Sequence, residues 1–268
     1  MDDLKTLYEE IGMPDEAAEA LNRTETGISE EATEKLIDGL CGRQTFTVAA
    51  AKLKEVFRDD ENGFKKLKLM LTAALKSRRL YESAGIGGDV FLDTMKCFSR
   101  FVREHREAYG RYGFDRDFWV GRQLSLCLFR LGVLEYETVV QDGEKAISVH
   151  IPSDADLSDE KLSASFELAK KFFRAHFPEY AEGKIFCYSW LLSPALEKLL
   201  PETSKILGFQ RRFDVLYVNE DEDGYKQWVF KTIDLPPERF PENTTLQRNM
   251  KAYVLAGGKI GEAFGILR

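Results

Sequence analysis

Side chains able to move a proton or attack a carbonyl gather in two stretches of this chain, 134–140 and 148–190. His150 stands in the alternating run AISVHI, on the face of Ser148 and opposite Ile147, Val149 and Ile151. Imidazole titrates near neutrality, so His150 suits a general base. A histidine hydrogen-bonded to the polar turn that follows is the equal alternative. Glu135 and Glu137 share one strand face, with Tyr136 on the other. They read as a solvent-facing row on an antiparallel sheet. Cys187 shares a face with Ser189 and, with His150, would make a thiol nucleophile. Its apolar surroundings favour a buried, inert thiol. Tyr188 alternates with Phe186 and Trp190, which reads as core packing. Asp154 and Asp156, with Ser153, offer oxygen ligands, but two carboxylates without further spaced partners suit helix capping better. No metal centre is expected. GGKIG (257–261) follows a helix and lacks phosphate-loop spacing, so a helix stop at Gly257 explains it.

These residues must be positioned by the stretch 146–190. AISVHI is strand-like, IPSDADLS is a polar turn, DEKLSASFELAKKFFRAHF is amphipathic, and KIFCYSW is strand-like again. That is a parallel crossover, whose first strand end and helix N-terminus form a natural small-ligand site. Helix 158–177 should bury Leu162, Phe166, Ala169 and Phe173, with Ser158 as its cap. Upstream, 124–140 predicts a bent strand or strand pair with Gly132 at the bend, and QDGEK supplies an Asp-Gly hairpin turn. Downstream, PALEKLL (194–200) predicts a short helix, 211–219 and 225–233 a hairpin around EDEDG, and 246–256 a last helix.

The first ~115 residues read as helical. Phe64, Leu67, Leu71 and Leu75 form one stripe, and Phe91, Met95, Phe98, Val102 and Tyr109 a second on one long helix. YGRYGFDRD (109–117) reads as the link to a sheet-bearing half, giving domains 1–115 and 116–268 in an α+β chain. Residues 1–40 are acidic and 43–82 basic, which reads as helix faces attracting each other within one domain.

A net charge of −7 over 268 residues excludes general affinity for nucleic acid or an anionic membrane. No apolar run approaches the roughly eighteen residues of a membrane span. MDDLKTLYEE lacks a basic and an apolar signal region, so secretion is not expected. Cys41, Cys97, Cys127 and Cys187 form no CxxC pair, which fits a reducing cytoplasm.

The segments WVGRQLS (119–125), LFRLGVLEYE (128–137), VHIPSDADLS (149–158), SWLLSPAL (189–196) and LLPETSKIL (199–207) resemble a bacterial group of acyltransferase-domain proteins. That group pairs an N-terminal all-helical domain with a GNAT-like mixed sheet flanked by helices. The resemblance implies acyl transfer from acyl-CoA to an amine, small-molecule or peptide, in one ternary complex. It implies a base, His150 or Glu135, at an opening between the two central strands. It implies that Tyr188 or Ser189 protonates the leaving thiolate. Acyl-CoA would be held by the turn residues Ser153, Asp154 and Ser158 and by backbone around Cys187 and Trp190. The turn departs from the superfamily's glycine-rich phosphate loop: HIPSDADLS has no glycine and two carboxylates. A GNAT-like module that has lost CoA binding and serves in ligand or protein interaction is the alternative.

Overall fold

The computed structural model describes residues 2–231 and 234–268. The chain divides into two compact units, Met1–Leu131 and Gly132–Arg268.

The first unit is a helical bundle: α1 (Asp2–Glu10), α2 (Asp15–Arg23), α3 (Glu30–Cys41), α4 (Phe46–Val56), α5 (Phe64–Ser83), α6 (Gly88–Met95), α7 (Cys97–Tyr109) and α8 (Asp117–Leu124). The strand β1 (Leu128–Leu131) ends it. The 20-residue α5 is its axis, packed on α1, α2, α3, α6 and α8. Leu67 and Leu71 of the expected stripe are buried, joined by Met70, Ala74 and Tyr81, so α5 is covered on more than one side. Gly63 opens α5 at φ +72°, and a Cβ there would lie 1.8 Å from the Phe114 carbonyl oxygen, so only glycine fits. Ion pairs Lys76–Asp38 and Arg78–Glu10 join the basic and acidic stretches, as the charge pattern suggested.

Two expectations for this half are corrected. The single helix through Phe91 and Tyr109 is two, α6 and α7, because the backbone turns at Lys96 (ψ −13°); Tyr109 stands 58% exposed, off the buried stripe. Residues 117–124, taken as the start of strand-like chain, form α8. Asp117 in its first turn binds Lys66 at 3.0 Å, while Val120 and Leu124 reach the core at helical spacing.

The second unit contains β2 (Leu134–Gln141), β3 (Glu144–His150), α9 (Asp159–His176), α10 (Pro178–Ala181), β4 (Ile185–Ser189), α11 (Lys205–Gln210), β5 (Phe213–Asn219), α12 (Tyr225–Val229), α13 (Thr245–Leu255) and β6 (Glu262–Leu267). Short 3-10 turns at Trp190–Leu192 and Pro194–Lys198 replace the short helix expected at 194–200. The mixed sheet has the order β1-β2-β3-β4-β6-β5. Gly132 turns the chain at φ +69° between β1 and β2. Asp142 (φ +53°) and Gly143 (φ +83°) form the hairpin turn that pairs Gln141 with Glu144. Leu162, Phe166, Ala169 and Phe173 of α9 are buried, and the Tyr136 hydroxyl meets Ser165 Oγ at 2.9 Å beneath them. Each large apolar side chain so buried contributes about 1.5–3 kcal/mol.

The hairpin around EDEDG is the main correction. β5 pairs instead with β6, and 225–229 is helical because Tyr225 and Phe230 enter a core with Leu196, Leu199, Phe240 and Met250. Thr232 and Ile233 of that expected strand lie outside the described residues. β6 hides in a glycine-rich tail. Gly265 lies where a Cβ would meet Leu192 and Phe213 at 3.0 and 3.1 Å, so close packing demands the residue that weakens the strand signal. Gly257 (φ +84°) follows α13 and gives its amide to Val254, the expected helix stop.

Candidate active site

The Asp142–Gly143 turn sets the register Glu135↔His150 and Glu137↔Ser148. These four residues therefore share one face of the sheet, and α9 covers the other through Tyr136. Across that face His150 Nε2 meets Glu137 Oε2 at 2.9 Å, with side chains only 23% and 15% exposed. Glu135, directly opposite His150 in register, is buried, as is Ser148. The solvent-facing row of glutamates is thus not what forms. Glu137, on the neighbouring strand, is a hydrogen-bond partner of His150. In the tautomer that donates from Nε2 to Glu137, the ring's lone pair is on Nδ1.

β3 and β4 run parallel, paired at Ile147↔Ile185 and Ser148↔Phe186. Beyond those pairs β3 continues to His150 and β4 to Ser189, while β4 keeps β6 as its partner through Ser189↔Ala263. The register of β3 with β4 ends at Ser148↔Phe186, just ahead of His150 and Tyr188. Alternation from Ser148↔Phe186 places Tyr188 on the His150 face and Cys187 on the opposite one. A Cys187–His150 pair is therefore excluded. Cys187 is fully buried, and burial pushes its thiol far above the usual range.

Tyr188 is 37% exposed, not packed away in the core with Phe186. Its ring lies 6.4 Å from Tyr217, which stacks on Phe264 at 5.3 Å. Burial, ahead of the opposing Asn219 hydrogen bond, holds its phenol above the usual value, so it stays protonated at neutral pH. Ser189 is turned the other way, its Oγ accepting the Leu191 amide at 3.2 Å to cap the 3-10 turn. Trp190 begins that turn and packs on the core that contains Leu196 and Phe230.

In the turn before α9, Ser153 and Asp154 are exposed. Ser158 holds the N-cap position, but its hydroxyl makes no capping bond; its amide donates to Asp156 Oδ1 at 3.1 Å. The same oxygen accepts from Lys205 Nζ at 2.7 Å, and that hydrogen bond is the largest cause of the lowered Asp156 pKa. Asp159 is bound by Arg212, which also donates to Ser163 Oγ at 2.9 Å. Two of the carboxylates at this helix start therefore face cations, which offsets most of their repulsion toward a phosphate. Sequence reasoning missed Glu137, Lys205 and Arg212 as parts of the site. The Asp-Gly turn, by fixing register, was the signal for Glu137; the cations come from the start of α11 and from the link between α11 and β5, far along the chain. Among the described residues, no group of three or more His, Cys, Asp or Glu is placed to hold a metal ion.

The model of the GNAT-like C-terminal domain family matches residues 128–267, just over half the chain. The chain belongs to that family. The N-acyltransferase N-terminal domain matches residues 2–126, so the helical half is likewise similar to a known domain. The GNAT-like fold also appears among solved structures. An acyltransferase in complex with decanoyl-CoA and teicoplanin is 22% identical, with a TM-score of 0.83 over 100% of this chain and 88% of that one. An acyltransferase in complex with decanoyl-CoA is 23% identical, with a TM-score of 0.80 and the same coverage. A third, with CoA and 10C-teicoplanin, is 21% identical, with a TM-score of 0.72 over 99% of both chains. At such identity the likeness carries the fold. No curated protein sequence matches the chain.

Proposed function

We propose that this protein is an acyl-CoA-dependent N-acyltransferase that moves an acyl group directly to an amine. The observation that carries the reading is the His150–Glu137 pair beside the end of the β3–β4 register in a GNAT-like domain. Strands beyond their shared register leave backbone donors and acceptors that an amide-bearing ligand satisfies in the manner of an added strand. The pantetheine arm of CoA is such a ligand.

In this scheme His150 takes a proton from the amine as its nitrogen attacks the thioester carbonyl. Glu137 orients the imidazole and stabilises the imidazolium; Glu135 is the alternative base. Backbone amides between 187 and 190 orient the carbonyl oxygen. The C–N bond forms, the C–S bond breaks, and the Tyr188 phenol protonates the departing thiolate. Proton transfer from imidazolium to tyrosinate through solvent restores both groups. The turn 152–158 and the start of α9 receive the pyrophosphate, with Lys205 and Arg212 supplying the positive charge that the absent glycines do not.

Decanoyl-CoA and teicoplanin, present with the similar structures, are the first donor and acceptor to try. The acceptor class is an amine on a small molecule or peptide. We place the reaction in a bacterial cytoplasm, where the four buried free cysteines stay reduced. No described helix is long and apolar enough to cross a membrane. Calorimetric titration with acetyl-CoA and decanoyl-CoA tests the reading. Saturable binding is expected; no heat at millimolar ligand with folded protein refutes it and leaves a non-catalytic GNAT-like module.

A further inference from the structure

In the second unit a cavity of about 240 Å³ is walled by Leu192, Pro194, Phe213 and Val215, with Arg211 and Arg268 at its rim. A whole drug-sized ligand occupies about 300–1,000 Å³, so this space suits one flat ring system with a charged group at its mouth. An alkyl chain fits it poorly, because two guanidinium groups would lose water against methylenes. Glu197 also lines the cavity and offers an acceptor for an exocyclic amine. Gln210 lines it too, and its amide is already committed to the Ser193 carbonyl at 2.8 Å, which fixes that wall.

The rim is electrostatically usable. Arg211 Nη2 donates to the Glu202 carbonyl at 3.2 Å, and Arg268 Nε to Asp214 Oδ1 at 2.7 Å. Each guanidinium has further N–H donors in a planar fork that matches a phosphate. Arg212, the residue after Arg211, binds Asp159 and Ser163 in the first two turns of α9. The cavity mouth is thereby tied to the helix start that receives the pyrophosphate in the scheme above.

We propose that this cavity takes the 3′-phosphoadenosine end of the acyl donor. Adenine lies on the floor of Leu192, Pro194, Phe213 and Val215, its amino group donates to Glu197, and the 3′-phosphate sits on Arg211 and Arg268. The inference rests on the acyl-CoA reading and adds the residues that recognise the nucleotide.

Titrating the protein with CoA and with 3′-dephospho-CoA tests it. Wild type should bind CoA roughly tenfold more tightly, the effect of one or two charge-assisted contacts. Arg211 and Arg268 are exposed, so R211Q/R268Q should fold. That variant should bind both ligands alike, with dephospho-CoA affinity unchanged. Adenosine 3′,5′-bisphosphate should displace CoA from wild type. Equal affinity of wild type for the two ligands, or a preference that survives R211Q/R268Q, overturns the inference alone. Failure of both ligands to bind overturns it together with the acyl-CoA reading.

Discussion

Replacing Glu137 by Gln keeps the shape of the side chain and removes its charge. In the wild type the carboxylate oxygen lies 2.9 Å from His150 Nε2, in a pair whose side chains are 23% and 15% exposed. On the proposed scheme, as His150 takes the amine proton the imidazolium gains a charge-assisted hydrogen bond worth about 1.5–3 kcal/mol, where a neutral one is worth about 0.5–1.5. Taking a difference of about 1 kcal/mol, E137Q should lower kcat roughly fivefold. KM for acyl-CoA should not change, because Glu137 stabilises charge that develops only during transfer. Release of the CoA thiol is read with a chromogenic thiol reagent. The four cysteines of the protein are buried, so the background is low. The decisive comparison is with H150A: residues that act as one unit are not additive, so H150A/E137Q should be no slower than H150A. Unchanged turnover in E137Q, or an additive double variant, refutes the coupling of the pair.

Glu262 and Lys66 provide two further tests. The Glu262 carboxyl is raised, chiefly by burial and then by Glu222 and Asp223, so the folded state holds its proton at pH values where the unfolded chain has lost it. Stability on this account falls as pH rises from the ordinary glutamate range through the raised value. E262Q should therefore melt higher than wild type at pH 8 and equally at pH 4, by thermal denaturation; the reverse order refutes the burial argument. Lys66 and Asp117 form an ion pair with side chains 13% and 8% exposed. K66M strands the carboxylate and should cost about 3–5 kcal/mol in urea denaturation, and a loss below 1 kcal/mol would show that water reaches the pair.

The crossover was legible because its signals agree: α9 shows a clean apolar stripe, and β3 and β4 are short strand-like runs on either side of it. The β2–β3 hairpin was equally plain from Asp142–Gly143. β6 was not, since Gly265 answers to Leu192 and Phe213 across the fold, and local propensity does not register such contacts. The stretch 225–229 has strand-like composition, yet its aromatic residues find a core only as a helix. Within the site, alternation placed His150 with Ser148 correctly. It also contained the separation of Cys187 from His150, once the β3–β4 register was known. Lys205 and Arg212 were out of reach, because nothing local tells a lysine 49 residues away that it will neutralise Asp156.

Past Phe186, β4 stays paired with β6 through Ser189, like a beam held along one edge. Tyr188 lies on that stretch, so its placement depends on Ala263, Phe264 and Gly265, three residues with no catalytic chemistry of their own. Substitutions there act as adjustments to a spring. A larger residue at Gly265 would press on Leu192 and Phe213 and load the strand from the side away from His150 and Glu137. On the proposed scheme, the acyl groups that fit depend on residues behind the strand as well as on the slot itself.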